Sequence, residues 1–189
     1  MNIAIYLISL KNYFKFNYVF ILAIAIILCV FLYCFLWWKQ KVNGVAISKN
    51  KWISGFFLTL YAAFLLTLMV VGRERGQDYS MNLILFWSYK RCIQEYNQNL
   101  LLQIIFNVIV FIPWPILFAQ VFPKMKKFLW SVGSAFLFSV FVEIMQLVFK
   151  LGMFEFDDMF HNTLGAVIGY AILTLARLLV NKYRLRKSN

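Results

Sequence analysis

The chain has 189 residues, of which 63% are hydrophobic and 14% charged. Soluble domains are about half apolar and a quarter charged, so a soluble enzyme or binding module is excluded and an all-α integral membrane protein is expected. The 19 Lys and Arg against 7 Asp and Glu give a formal net charge of +12. The basic residues stand between apolar runs, where they report topology and contact with anionic lipid, and nucleic acid is set aside as a partner.

In chain order, residues 1–16 begin with a mostly apolar stretch that has no basic flank and no small-residue cleavage site. This predicts an interfacial helix held by Lys11 and Lys15 rather than a removable signal peptide. A window of about 20 residues then predicts five transmembrane helices. They run Asn17 to Trp38, Trp52 to Gly72, Leu100 to Phe122, Phe128 to Phe149 and Phe160 to Val180. Between the second and third, the polar stretch Gly72 to Asn99 contains Met81 to Trp87 (MNLILFW), too short to span and apolar enough for a re-entrant or interfacial segment. Pro113 and Pro115 each remove a backbone hydrogen bond and bend the third helix. The link Pro123 to Lys127 is short enough to make the third and fourth helices an antiparallel hairpin. Cys29, Cys34 and Cys92 show neither a disulfide framework nor metal-ligand spacing and are expected to be free thiols.

Basic residues fix the expected orientation. Lys11, Lys15, Arg73, Arg75, Lys90, Arg91 and Lys150 fall on one side of the predicted spans. Lys39, Lys41, Lys49, Lys51, Lys124, Lys126, Lys127, Lys182, Arg184, Arg186 and Lys187 fall on the other, more basic side, which faces the cytoplasm. The N-terminus is therefore expected outside and the C-terminus cytoplasmic. The organisation divides into residues 1–72, an interfacial segment with two spans; 73–180, the membrane core; and 181–189, a basic cytoplasmic tail.

Glu143 is a carboxylate inside a predicted span, where a charge costs at least about 2.5 kcal/mol. It lies six residues from the external end, about 9 Å deep at 1.5 Å per residue. Ser139, Gln146 and Lys150 share its helical face, so one polar stripe climbs toward the outside. Glu143 serves either as a hydrogen-bonded packing group or as part of a site. In the last span, Asp158, Asn162, Gly165 and Gly169 share a face, and Gly165 with Gly169 forms a small-residue step for close helix packing. Asp157 or Asp158 would serve as an N-cap, yet Glu155, Asp157 and Asp158 together exceed what a cap needs. His161, the only histidine, reads more readily as an interfacial residue than as a metal ligand or general base.

Asn107 lies about 10 Å inside the third span. At that depth Asn107, Glu143, Gln146, Glu155, Asp158 and Asn162 converge with Asn82, and with Arg73 and Arg75 for anionic groups. This set is the expected ligand-binding lining, a polar pocket in the outer leaflet suited to a head group. No motif for a cofactor or metal is present.

The chain from Arg73 onward resembles the VanZ-like family of small membrane proteins, mainly of Gram-positive bacteria. The resemblance rests on Asn82 to Phe86, similar to Asn-Leu-x-Pro-Phe; on Asn107 with Phe111 and Pro113, similar to Asn-x-x-x-Phe-x-Pro; and on Glu143 with Gln146. It rests further on Glu155, Asp158, Asn162, Thr163, Gly165 and Gly169, similar to acid-x-x-Asp-x-x-x-Asn-Thr-x-Gly-x-x-x-Gly. Ile84 stands where Pro is usual, Pro115 where Gly commonly follows, and Glu155 where Asp is usual; an arginine before the acidic turn is absent. The resemblance implies a role in the cell envelope, the namesake lowering sensitivity to teicoplanin more than to vancomycin. The first functional expectation is therefore a membrane protein that binds or occludes a lipid-anchored ligand, a lipoglycopeptide or a lipid-linked cell-wall precursor. The alternative is a membrane enzyme with Glu143 and Asp158 as acid and base. A third is an accessory protein docking a larger envelope complex through its glycine face.

Overall fold

The computed structural model describes residues 23, 26–28, 30–42, 44, 48–71 and 79–188, with the side chains of 70, 71 and 188 left aside. The expected interfacial segment at residues 1–16 lies outside them. Two compact units divide the chain, Met1–Arg73 and Glu74–Asn189. Four helical stretches are long and apolar enough to cross a membrane: Lys49–Met69, Gln98–Val121, Phe128–Phe149 and Phe156–Lys187. Of the first expected span, residues 23, 26–28 and 30–38 are described, and all are helical.

In the first unit, residues 30–42 (α1) are followed by α2, Lys49–Leu66, which ends in the π-helical turn Thr67–Val71. Tyr33 stacks on Trp52 with ring centroids 4.8 Å apart. Gly55 admits the side chain of Leu32, whose Cδ2 lies 2.9 Å from where a Cβ would stand. Thr67 donates its hydroxyl to the Ala63 carbonyl at 2.9 Å, the i−4 back-bond that bends helices, where the helix widens.

The second unit begins with a three-residue strand β1, Ser80–Asn82, and a short helix α3, Trp87–Glu95. Then come α4, Gln98–Ile109; α5, Pro113–Val121; α6, Phe128–Phe149; strand β2, Met153–Glu155; and α7, Phe156–Ser188. The third expected span is thus two helices, α4 and α5. Pro113 and Pro115 have no N–H to give, and around them the pattern tightens to i→i−3 bonds: Phe111 to Val108, Ile112 to Ile109, and Trp114 to Phe111. The chain between α3 and α4 is short because Asn97 caps α4 with its own side chain, accepting from Asn99 and Leu100.

The stretch Met81 to Trp87 forms most of β1, a turn and the start of α3, and it exposes Met81, Leu83, Ile84, Leu85 and Phe86. β1 pairs in parallel with β2, Ser80 opposite Met153 and Asn82 opposite Glu155. α7 is the hub of the unit: it packs on α4, α5 and α6. A Cβ on Gly165 would come 2.0 Å from the Val108 carbonyl oxygen, and one on Gly169 2.0 Å from that of Ile112. The two glycines therefore receive the break between α4 and α5. The α5–α6 side is closed by aromatic rings, Trp114 lying 4.4 Å from Phe138 between centroids and donating its indole N–H to Ser134 Oγ at 3.1 Å. α7 continues helical through Ser188, so the basic residues from Lys182 to Lys187 stand on a helix.

Candidate functional site

The polar residues gather where α6 ends and α7 begins, and the turn between them explains how. Lys150 takes the left-handed conformation (φ 56°), Leu151 N–H bonds back to the Gln146 carbonyl at 2.8 Å, and Gly152 has φ 126°. This is a Schellman-type helix stop, made here with a lysine at the position glycine usually fills. It reverses the chain so that the backbone N–H of Glu155 donates to Glu143 Oε2 at 2.9 Å.

From there α7 spends its first two turns on three different neighbours. Asp158 Oδ1 accepts from the Asn107 amide at 2.7 Å, joining α7 to α4. Asn162 donates its amide to Ser139 Oγ at 2.8 Å, joining α7 to α6. Asp157 turns to α3: its two oxygens accept the backbone N–H groups of Phe86, at 2.5 Å, and Ser88, at 2.7 Å. Phe86 has φ 65° and no side chain able to cap α3, so a carboxylate 71 residues away does what an N-cap residue does elsewhere. One helical turn beyond Asp157, His161 Nε2 meets the Tyr89 hydroxyl of α3 at 2.9 Å. Burial, and then the nearby Asp157 carboxylate, raises the Tyr89 phenol above its ordinary pKa, so it stays protonated at neutral pH.

Asn107, Ser139, Glu143, Gln146, Asp157, Asp158, His161 and Asn162 are all buried. Membrane helices tolerate such a layer only when its members bond to one another or to something bound. The short bond from Asn107 to Asp158 also fixes the register of α7 against α4.

Among the residues expected to line a site, the structure brings Asn107, Glu143, Glu155, Asp158 and Asn162 together, with Gln146 buried on the same stretch of α6. Asn82 lies opposite Glu155 in the strand pair, but its side chain is spent on the turn, accepting from Ile84 N–H at 3.2 Å. Arg73 and Arg75 lie outside the described residues. Gly165 and Gly169 face the backbone of Val108 and Ile112 of the same chain. Sequence reasoning read Asp157 as a cap for its own helix and His161 as an interfacial residue, and it passed over Tyr89, whereas the structure turns Asp157 and His161 to α3. The available signal was negative: α3 starts at Leu85-Phe86-Trp87 with no local capping residue. Among the described residues, no three His, Cys, Asp or Glu side chains are grouped as metal ligands.

This is a helical membrane protein with a buried polar layer. The VanZ/LLP1 family model matches residues 20–177, and the chain belongs to that family. No curated protein and no solved structure matches it.

Proposed function

We propose that this VanZ-like protein acts in the bacterial cell envelope by binding or occluding the head group of a lipid-anchored ligand, and that it lowers sensitivity to teicoplanin-type glycopeptides. The observation that carries the reading is the buried polar layer itself. Two carboxylates, Glu143 and Asp158, are held in apolar helices by donors from β2 and α4, an expensive arrangement that membrane proteins keep where a ligand or ion is handled. Their fixed acceptor roles support a lining more than a proton-transferring acid and base. The excess of Lys and Arg on the α5–α6 side supports a C-terminus in the cytoplasm and an N-terminus outside. The helical residues 30–38 support a fifth crossing, and the apolar residues Leu83 to Phe86 rest in the membrane interface. In this orientation the polar layer sits in the outer leaflet, about 9 Å below the end of α6, at the depth of a head group pulled slightly inward.

The test is susceptibility of a sensitive Gram-positive host expressing the chain, measured against teicoplanin and vancomycin in parallel. Protection selective for teicoplanin is expected, with Glu143→Gln and Asp158→Asn each reducing it at matched membrane abundance. A host equally susceptible with and without the protein would remove the resistance assignment.

A further inference from the structure

Two atoms of the buried layer have no hydrogen-bond partner: Asn162 Oδ1 and His161 Nδ1, on side chains without solvent exposure. Leaving such a group unmade costs about 1–3 kcal/mol, and a membrane interior has no bulk water to offset it. The two residues are consecutive on α7 and so point about 100° apart, Asn162 toward Ser139 of α6 and His161 toward Tyr89 of α3. A group that completes both carries several polar atoms spread over some ångströms.

The donor and acceptor roles narrow its chemistry. Asn162 has given its amide N–H to Ser139, so its Oδ1 asks for a donor. His161 Nδ1 accepts when Nε2–H is donated to Tyr89, and donates when the Tyr89 phenol is the donor. Hydroxyl groups serve both tautomers, since each donates and accepts. A phosphate or carboxylate offers acceptors only and so has no proton to give Asn162 Oδ1. An ammonium offers donors only, and in phospholipids it arrives a few bonds from a phosphate. Around His161 the rings of Phe86, Tyr89 and Phe160 are arranged edge to face, Phe86 and Phe160 at 5.3 Å and Tyr89 and His161 at 5.2 Å. Such surfaces suit the C–H face of a sugar ring.

We propose that the layer binds an uncharged polyhydroxyl head group, a sugar carried on a lipid anchor. This rests on the head-group reading above and names its chemistry.

The experiment is native mass spectrometry of the full chain in tetraethylene glycol monooctyl ether, a detergent without sugar. Equal amounts of diglucosyl-dioleoylglycerol, dioleoylphosphatidylglycerol and dioleoylphosphatidylethanolamine are added. Retention of the sugar lipid about tenfold above either phospholipid is expected, falling about tenfold in Asn162→Leu and in His161→Phe, as for one or two buried hydrogen bonds. Equal retention of the three lipids, or preference for a phospholipid, overturns the proposal with the parent protein alone. Teicoplanin and its sugar-free aglycone then serve as competitors for the bound glycolipid. Displacement by teicoplanin alone supports the sugar of an acylated antibiotic as ligand, displacement by neither supports a membrane glycolipid, and equal displacement by the aglycone counts against sugar recognition. Sugar preference without protection of cells would keep this inference and remove the resistance assignment; protection without sugar preference would do the reverse.

Discussion

Replacing Gly165 by Ala is the sharpest test of how the site is held. The added Cβ would stand 2.0 Å from the Val108 carbonyl oxygen and 3.1 Å from Phe111 Cβ. A carbon meets an oxygen comfortably at about 3.3 Å, so α7 and α4 must part by roughly 1.3 Å. The obstacle is backbone, which no rotamer change removes. The same displacement stretches the Asn107 to Asp158 bond, now 2.7 Å, to about 4 Å, beyond hydrogen bonding. Overpacking costs about 1–3 kcal/mol and leaving a buried hydrogen-bonding group unpaired about 1–3 kcal/mol, so a loss of about 3–5 kcal/mol is expected. Thermal unfolding in detergent should drop by roughly 10 °C. Gly133→Ala in α6 is the internal control: nothing lies within 4 Å of its would-be Cβ. Removing a helical glycine there should leave the midpoint unchanged or raise it, by about 0.5–1 kcal/mol in stability. If Gly165→Ala melts with the parent, the close approach of α7 to Val108 is wrong, and with it the account of how Asp158 reaches Asn107.

Asp157→Ala should free the N-terminus of α3, raising amide exchange of Phe86 and Ser88 about tenfold or more while α6 stays protected; unchanged exchange would show that α3 is capped by something else. Lys150→Gly should relieve the left-handed residue at the end of α6 and stabilise by about 0.5–1 kcal/mol in a Tyr79→Leu background, where the contact of Lys150 Nζ with the Tyr79 ring at 4.6 Å no longer offsets the gain. A destabilised Lys150→Gly in that background would contradict the Schellman-type stop. The exposed pair of Arg91 and Glu95, 2.8 Å apart, lowers the Glu95 pKa below its ordinary value, chiefly through the hydrogen bond from Arg91. The support this pair lends α3 is thus present above the usual carboxylate range and fades as pH falls through the lowered value. Carboxyl NMR should place the Glu95 midpoint below that of an Arg91→Ala variant, and coincident midpoints would disprove the pairing in solution.

What the sequence makes legible follows from the range of the physics involved. Apolar runs such as Phe128 to Phe149 announce themselves because a bilayer demands about 20 consecutive apolar residues. The break at Pro113 is equally local, since a missing N–H acts on the residues three and four before it. β1 and β2 are three residues each, too short for any alternation to register, and they exist only because the turn after α6 brings Met153–Glu155 beside Ser80–Asn82. α3 is hidden for a related reason: its capping carboxylate is Asp157, distant in sequence, where an acid two residues into α7 reads as serving α7 itself.

The candidate site shows the same division. That Glu143, Asp158 and Asn162 are out of place in apolar helices is visible from composition alone; which partner each has chosen is not. In α7, successive residues turn by 100°, so Asp157 and His161 share one face, turned to α3, while Asp158 and Asn162 share the next, turned to α4 and α6. A single turn and a half of helix thereby gathers α3, α4 and α6, with the glycines below it setting how near the α4–α5 break can come. Most of these polar groups are committed to holding the bundle, which leaves recognition to the atoms they do not use. Residues that fix the layer and residues that read its occupant should therefore separate on mutation. Asn107→Leu should lower both stability and protection against teicoplanin, because it removes the donor that keeps Asp158 in place. His161→Phe, a substitution of similar shape whose Nε2 contact lies at the layer's edge against a partly exposed tyrosine, should lower protection with a much smaller loss of melting temperature. Equal losses of stability in the two variants would mean that the layer is scaffold throughout and that recognition lies elsewhere on the protein.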